Sequence, residues 1–279
     1  MLELVQIPVW RDNYAYLLCN GTRAFVVDPP EAAPVLAVLR QRGGLTLEAV
    51  INTHHHPDHV GGNAALADAT GCEIVGPAHD AERIPGLSRP TAIGDSIEVA
   101  GVTLRVLDVH AHTRGHIAFV CDAPIDRVMR HGHDGVSTVI ERLNGRPALF
   151  VGDSLFLGGC GRLFEGTPAD LHASMTVLAA ESPEALVCCA HEYTGSNLRF
   201  AAHVLSSNAT VQARLEGLDE ERAGSSSSVP DTLAREFETN PFLMALDASH
   251  RDTMSAALGV SSRDTVGVLG ALRSAKDRF

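Results

Sequence analysis

"INTHHHPDHVGG", residues 51–62, sets four histidines and one aspartate into the six positions from His54 to His59. So many coordinating side chains at one point allow three readings: a metal, a proton relay, or a polar loop rich in histidine. The residues on either side begin to separate them. "EAVINTH" is an apolar run of the strand type, and Pro57 suits the first position of a helix, where a missing N–H costs no hydrogen bond. On an extended segment His54 and His56, two apart, share one side. Asp58 and His59 then project from the first helical turn, and His55 points the other way. The segment therefore predicts a grip on one ion by His54 and His56, and on a second by Asp58 and His59. Mixed imidazole and carboxylate donors suit zinc, iron or manganese.

Further donors lie where other strands are expected to end. "HAHTRGH" offers His110, His112 and His116, "LFVGDS" puts Asp153 after a strongly apolar run, and "VCCAHEY" does the same for His191. An aspartate in that place also suits a turn or a helix N-cap, so each residue alone is ambiguous. Donors gathered at strand ends are the habit of α/β sheets, whose loops can converge on one point.

Outward from these points, "RAFVVDPP", "EIVGP", "TLRVLDVH", "IAFVC", "STVIERL" and "ALFVGD" read as strands, while "EAAPVLAVLRQRGG" and "GGNAALADATG" read as helices. Asn144-Gly145 predicts a tight hairpin between two of the strands. From about residue 170 the pattern becomes helical, with "AGSSSSVP" (223–230) expected as a flexible linker or exposed loop. The organisation expected is a layered α/β domain followed by a smaller helical region.

Composition narrows the class of partner. The 279-residue chain carries 34 acidic and 22 basic residues, a net charge of −12, where a nucleic-acid binder ordinarily shows a basic footprint. An anionic substrate would need the few cations gathered locally. No apolar stretch is long enough to cross a bilayer, and the start, "MLELVQIPVWRDNYAYLL", is expected to be a mature strand and not a signal peptide. Six cysteines without paired CxxC spacing read as free, buried thiols, which favours a reducing cytoplasm.

With these residues in view, "THHHPDHVGG" resembles the THxHxDH signature of the metallo-β-lactamase fold. "GDSLFLGGCGRLFEGT" (152–167), "CCAHEYTGSNLRFA" and the terminal "LRSAKDRF" are similar to one branch, the bacterial hydroxyacylglutathione hydrolases or glyoxalases II, as are "DNYAYLL" and "VVDP". The likeness runs from Asp12 to Phe279. It implies an αββα metallo-β-lactamase-type sandwich, with a catalytic domain over 1–190 and a helical glutathione-binding domain over 191–279. It implies two divalent metal ions per chain, zinc first and iron or manganese next. His54, His56 and His112 would hold one, Asp58, His59 and His191 the other, and Asp153 would bridge them.

The reaction implied is hydrolysis of a glutathione thioester of the S-lactoylglutathione type to a 2-hydroxy acid and glutathione, the second step of methylglyoxal detoxification. The resemblance implies that a metal-bridging hydroxide, oriented by Asp58, would attack the carbonyl. The leaving thiol has a pKa of roughly 8.5 and needs no strong general acid. Arg162, Tyr193, Arg273 and Lys276 match positions that hold glutathione, although spacing alone would make Arg273 and Lys276 a solvated helix face. Phe164 stands where some relatives carry tyrosine, His110 where they commonly carry proline, and Ala111 where they carry glycine. A monomer in the cytoplasm is expected, acting on a small molecule, with no nucleic-acid and no membrane partner.

Two alternatives share the fold: a mononuclear iron sulfur dioxygenase, and a hydrolase of a lactone, lactam or other thioester. The full second set, Asp58, His59 and His191, weighs against the first, and the C-terminal motif weighs against the second. His116 is expected in the core beside the ligand loop. The stretch Asp122 to Pro147, with His131, His133 and Asp134, reads as an insertion that forms a solvated hairpin extension.

Overall fold

A computed structural model of the chain describes residues 1–132, 135–225, 227–261 and 264–279. It divides into two compact units: Met1–Asp108 with Gly115–Gly152, and Val109–Arg114 with Asp153–Phe279.

The strand Asn13–Asn20 is buried along almost its whole length, which requires cover on both faces. Its side chains alternate accordingly. Ala15, Leu17 and Cys19 turn to a core shared with Val5, Ile7 and Val9 of the strand Leu2–Val9 and with Val35 and Val38 of the helix Ala32–Arg42. Tyr16 turns the opposite way, its ring 6.0 Å from that of Phe150. Phe25, on the neighbouring strand Arg23–Val27, lies edge-on to the same Phe150 at 6.3 Å. Phe150 belongs to the strand Arg146–Gly152, which pairs antiparallel with Ile117–Ile125. That strand in turn pairs with Val102–Asp108, and Val102–Asp108 with Ser96–Val99. The first unit is thus two sheets packed face to face over aromatic rings, with helices on the outer face of one.

The larger sheet has eight strands, and its arrangement places the polar loops. Arg23–Val27, Thr46–Ile51, Glu73–Pro77 and Arg89–Thr91 run parallel in that order. Parallel strands finish at one end of a sheet, so Asp28, the segment 52–59 and Asp80 emerge side by side. The strands and helices expected along this half are present, with two corrections. "STVIERL" is a strand only over Ser137–Val139, continuing into a 3-10 turn at Glu141–Leu143. That short strand pairs with Arg127–His131, and Asn144-Gly145 joins the 3-10 turn to Arg146–Gly152, so the expected tight hairpin between two strands does not form. His131 faces Ser137 across the pair, Nδ1 to Oγ 3.2 Å. His133 and Asp134 lie outside the described residues.

The second unit is mainly helical, with helices at Pro168–Ala179, Thr194–Val204, Ala209–Ser225, Leu233–Thr239, Pro241–Met244, Ala248–Leu258 and Thr265–Arg278. A hairpin of Leu155–Phe156 and Gly159–Cys160 follows Asp153, which rules out the helix N-cap reading of that aspartate. Glu236 secures the hairpin from below: fully buried, it accepts from the Gly158 N–H at 2.7 Å and pairs with Arg214 at 2.6 Å. A buried carboxylate needs such partners, because an unpaired charge there would cost several kcal/mol. The run of serines differs from its expected form: the helix continues to Ser225, and Ser227, Ser228, Val229 and Pro230 are buried. All six cysteines are free and buried, as expected. Among the described residues no helix is long and apolar enough to cross a membrane.

Candidate metal centre

In the first unit the segment 53–59 leaves its strand extended and turns at Pro57 into the short helix Pro57–Val60, with His56 at the N-cap. His54 Nε2 and His56 Nδ1 face each other at 3.0 Å, and the His54 and His59 rings are centred 4.0 Å apart. His55 points elsewhere, as its place in an extended segment requires, and bonds Asp80 Oδ2 at 2.8 Å. His116 is buried and stacks on His54 at 4.5 Å.

Asp28 lies behind this cluster. One carboxylate oxygen accepts from the Thr53 N–H at 2.8 Å. The other accepts from Thr53 Oγ1 at 2.6 Å and lies 3.1 Å from His59 Nδ1. Thr53 Oγ1 also lies 3.0 Å from His54 Nδ1. Asp28 adopts φ 46°, which a short polar residue tolerates. Asn13 holds the remaining member: its amide nitrogen lies 3.3 Å from Asp58 Oδ2 and 3.4 Å from the Asp58 carbonyl. Gly152 (φ 50°) closes the floor, since a Cβ there would meet Thr53 Oγ1 at 2.3 Å.

The second unit brings together residues from three distant places. Asp153 sends one oxygen to each of two imidazoles: Oδ2 lies 3.5 Å from His112 Nε2, and Oδ1 lies 3.4 Å from His191 Nε2. His112 Nδ1 bonds the Arg162 carbonyl at 2.9 Å. Gly161 is what allows this closeness, because a Cβ would lie 1.9 Å from the Asp153 carbonyl oxygen and 3.0 Å from His112 Nδ1. His110, the departure from the family pattern, pairs with Asp170 at 3.4 Å. The Thr167 hydroxyl in the capping box of the following helix is the main cause that holds the Asp170 carboxyl below its usual range.

Two aromatic rings flank this group. Tyr193 stacks flat on His191, 4.7 Å away at 4°, and Phe164, 61% exposed, meets the His112 ring edge-on at 5.1 Å. The cations are unlike one another. Arg162 is exposed and lies 3.6 Å from Asp277. Arg273 is buried, donating to the Cys160 carbonyl at 2.7 Å and to Asp277 at 3.1 Å. Lys276 is half-buried over the Phe200 and Phe279 rings and donates to the Ser196 carbonyl at 2.8 Å; burial pulls its ammonium down to about 8. Burial likewise pushes the Cys160 thiol up to about 11, so it is no nucleophile at neutral pH.

The donors fit a divalent ion by their chemistry. His54, His59 and His112 each have Nδ1 against an oxygen of the chain, the arrangement that fixes tautomer and ring orientation in metal-ligating histidines. Asp28, Thr53 and Asn13 supply that support in the first unit, and neither Thr53 nor Asn13 carries a signal for it in the sequence. Asp28 is legible in the sequence as a polar, metal-capable residue closing the strand-like run "VVDP", and nothing in the local pattern ties Asn13 to Asp58.

Known proteins give the context. Residues 8–191 match the family model described as metallo-beta-lactamase superfamily, and residues 192–279 match that of the hydroxyacylglutathione hydrolase C-terminus. The chain is 42% identical to a hydroxyacylglutathione hydrolase of Pseudomonas entomophila and 44% identical to one of Cupriavidus taiwanensis, each over 100% of both chains. Among solved structures, ETHE1 from Myxococcus xanthus is similar with a TM-score of 0.59 at 20% identity, over 96% of this chain and 100% of that one, a likeness of fold alone.

Proposed function

We infer the chemistry of this chain from its kinship: it belongs to the hydroxyacylglutathione hydrolase family of the metallo-β-lactamase superfamily. It is a hydrolase that converts S-2-hydroxyacylglutathione thioesters to a 2-hydroxy acid and glutathione, the second step of methylglyoxal detoxification. The observation that carries this is identity above 40% over full-length relatives of that name.

The finer assignment is our proposal. Two divalent ions, zinc in preference to iron or manganese, would be held by His54, His56 and His112 and by Asp58, His59 and His191, with Asp153 as the shared ligand. The ring orientations and the divided contacts of Asp153 support it. When bound, the ions supply acidified water and a Lewis-acid pull on the thioester carbonyl. The chain's own residues do the rest. Asp58, steadied by Asn13, orients the attacking water, and the Asp153 carboxylate keeps His112 and His191 at a constant separation. The thiolate departs without a general acid. Arg162 and Lys276 draw the glutathione carboxylates, and Tyr193 is held by its stack on His191 to meet the peptide. Arg273, assigned with them, acts through the Cys160 carbonyl that it holds. The catalytic domain over 1–190, the glutathione-binding domain over 191–279, a monomeric state and a cytoplasmic place belong to the same reading, the last supported by six free cysteines.

The test is purified protein with S-D-lactoylglutathione, following thioester loss alongside metal content. Rapid hydrolysis, abolished by chelation and restored by zinc, with two ions per chain, is expected. A single iron with oxygen uptake on glutathione persulfide overturns the assignment in favour of a dioxygenase.

A further inference from the structure

Glu192 sits between His191 and Tyr193, whose rings lie flat against each other. Residues two apart that stack in this way share one side of the chain, which leaves the side chain between them to anchor the segment from the other. That anchor is the run of serines. The Glu192 carboxylate accepts from Ser227 Oγ at 3.0 Å and from the Ser228 N–H at 3.0 Å on one oxygen, and from Ser228 Oγ at 2.5 Å on the other. Ser228 Oγ lies 2.7 Å from Thr194 Oγ1, which extends the network to the first residue of the next helix. Both serines are buried while Glu192 is half-buried, so the donors are shielded from bulk water, and charge-assisted donors to a carboxylate are among the stronger protein hydrogen bonds.

We propose that Glu192, gripped by Ser227 and Ser228, is a positioning residue that sets the placement of His191 and Tyr193. The proposal rests on the assignment of His191 as a ligand and Tyr193 as a substrate contact. Its physical basis is that a flexible junction between a strand and a helix would let both rings wander, and the clamp removes that freedom at the residue between them. The chain thus uses a distant, low-complexity stretch to hold the junction that follows its last ligand. A neutral isostere can keep the clamp. In Glu192→Gln the amide oxygen can take the bonds from Ser227 Oγ and the Ser228 N–H, while its NH2 donates to Ser228 Oγ, whose own proton turns to Thr194. Glu192→Ala cannot.

The experiment titrates metal-free full-length chain with cobalt(II), read by its visible absorption, and in parallel measures kcat and KM on S-D-lactoylglutathione. The chains are wild type, Glu192→Ala, Glu192→Gln and Val35→Ala, the last a core truncation in the other compact unit that lowers stability alone. Glu192→Ala is expected to bind one of two cobalt ions on the order of tenfold more weakly, the low end of the loss seen when a group bonded directly to a ligand is removed, because Glu192 acts on His191 through the backbone. The other ion stays unchanged, KM rises, Glu192→Gln recovers most of the loss, and Val35→Ala leaves both cobalt affinities as they were. A Glu192→Ala chain that melts earlier but binds both ions like wild type overturns the proposal, as does a Gln variant as poor as Ala. Wild-type chain that binds one cobalt overturns the ligand assignment itself, at a step before any variant is compared.

Discussion

The two compact units supply candidate coordinating groups in opposite ways. In the first, four donors come from positions 54–59, and their support, Asp28, arrives from the neighbouring parallel strand. In the second, His112, Asp153 and His191 come from three separate segments, and their approach depends on a glycine at 161 and on a carbonyl at 162. The first arrangement is written into local backbone geometry: an extended step of two residues, then a proline-started turn. The second exists only once a loop, a hairpin and a strand end have been brought together. Placement of the candidate donors in the first unit should therefore tolerate loss of a supporting contact better than placement in the second tolerates loss of the residue that joins it.

The largest effect is expected at the joining carboxylate. Asp153→Ala removes the group shared by His112 and His191, and metal assistance contributes several kcal/mol, so kcat should fall on the order of a thousandfold. Steady-state kinetics with metal content measures it, and a loss below tenfold would show that the second unit does not depend on this residue. Asp28→Asn sharpens the other side. It replaces an acceptor with a donor opposite His59 Nδ1, and the expected cost in metal affinity is about ten- to a hundredfold, measured by chelator competition. If Asp28→Asn proves as damaging as Asp153→Ala, the contrast between local and assembled donors fails.

The smallest effect concerns pH. With its ammonium at about 8, Lys276 is charged at pH 7 and loses its proton as pH rises through that value. KM for the anionic thioester should then climb about tenfold between pH 7 and 9, following the charged fraction, while kcat stays level. A KM profile that keeps its step in Lys276→Ala would assign the titration to another group.

Much of the site was legible because its elements have short-range causes. Pro57 at a helix start, the two-residue spacing of His54 and His56, and the outward turn of His55 follow from backbone periodicity, and each is found. Other parts had no local signal. Asn144-Gly145 carries the residues of a tight hairpin, yet the strand before it pairs with Arg127–His131 instead, because register is decided by which sheet a strand joins. The serines at 227 and 228 read as solvated linker by composition, while Glu192 gives their buried hydroxyls a charged partner. Arg273 and Lys276 share a helix face, yet one is spent on a carbonyl inside the fold and the other rests half-buried on aromatic rings.

By itself the sequence determined the alternation of strands and helices, the identity of the candidate donors and their kinship with one family of hydrolases, since these depend on residue types and spacings a few positions long. Tertiary structure alone decided which oxygens hold each imidazole, where Asp28 and Asn13 act, and that a run of serines becomes an anchor. Hydrogen bonds between residues tens of positions apart carry no periodicity along the chain, and they take form only when packing brings the groups within about 3 Å.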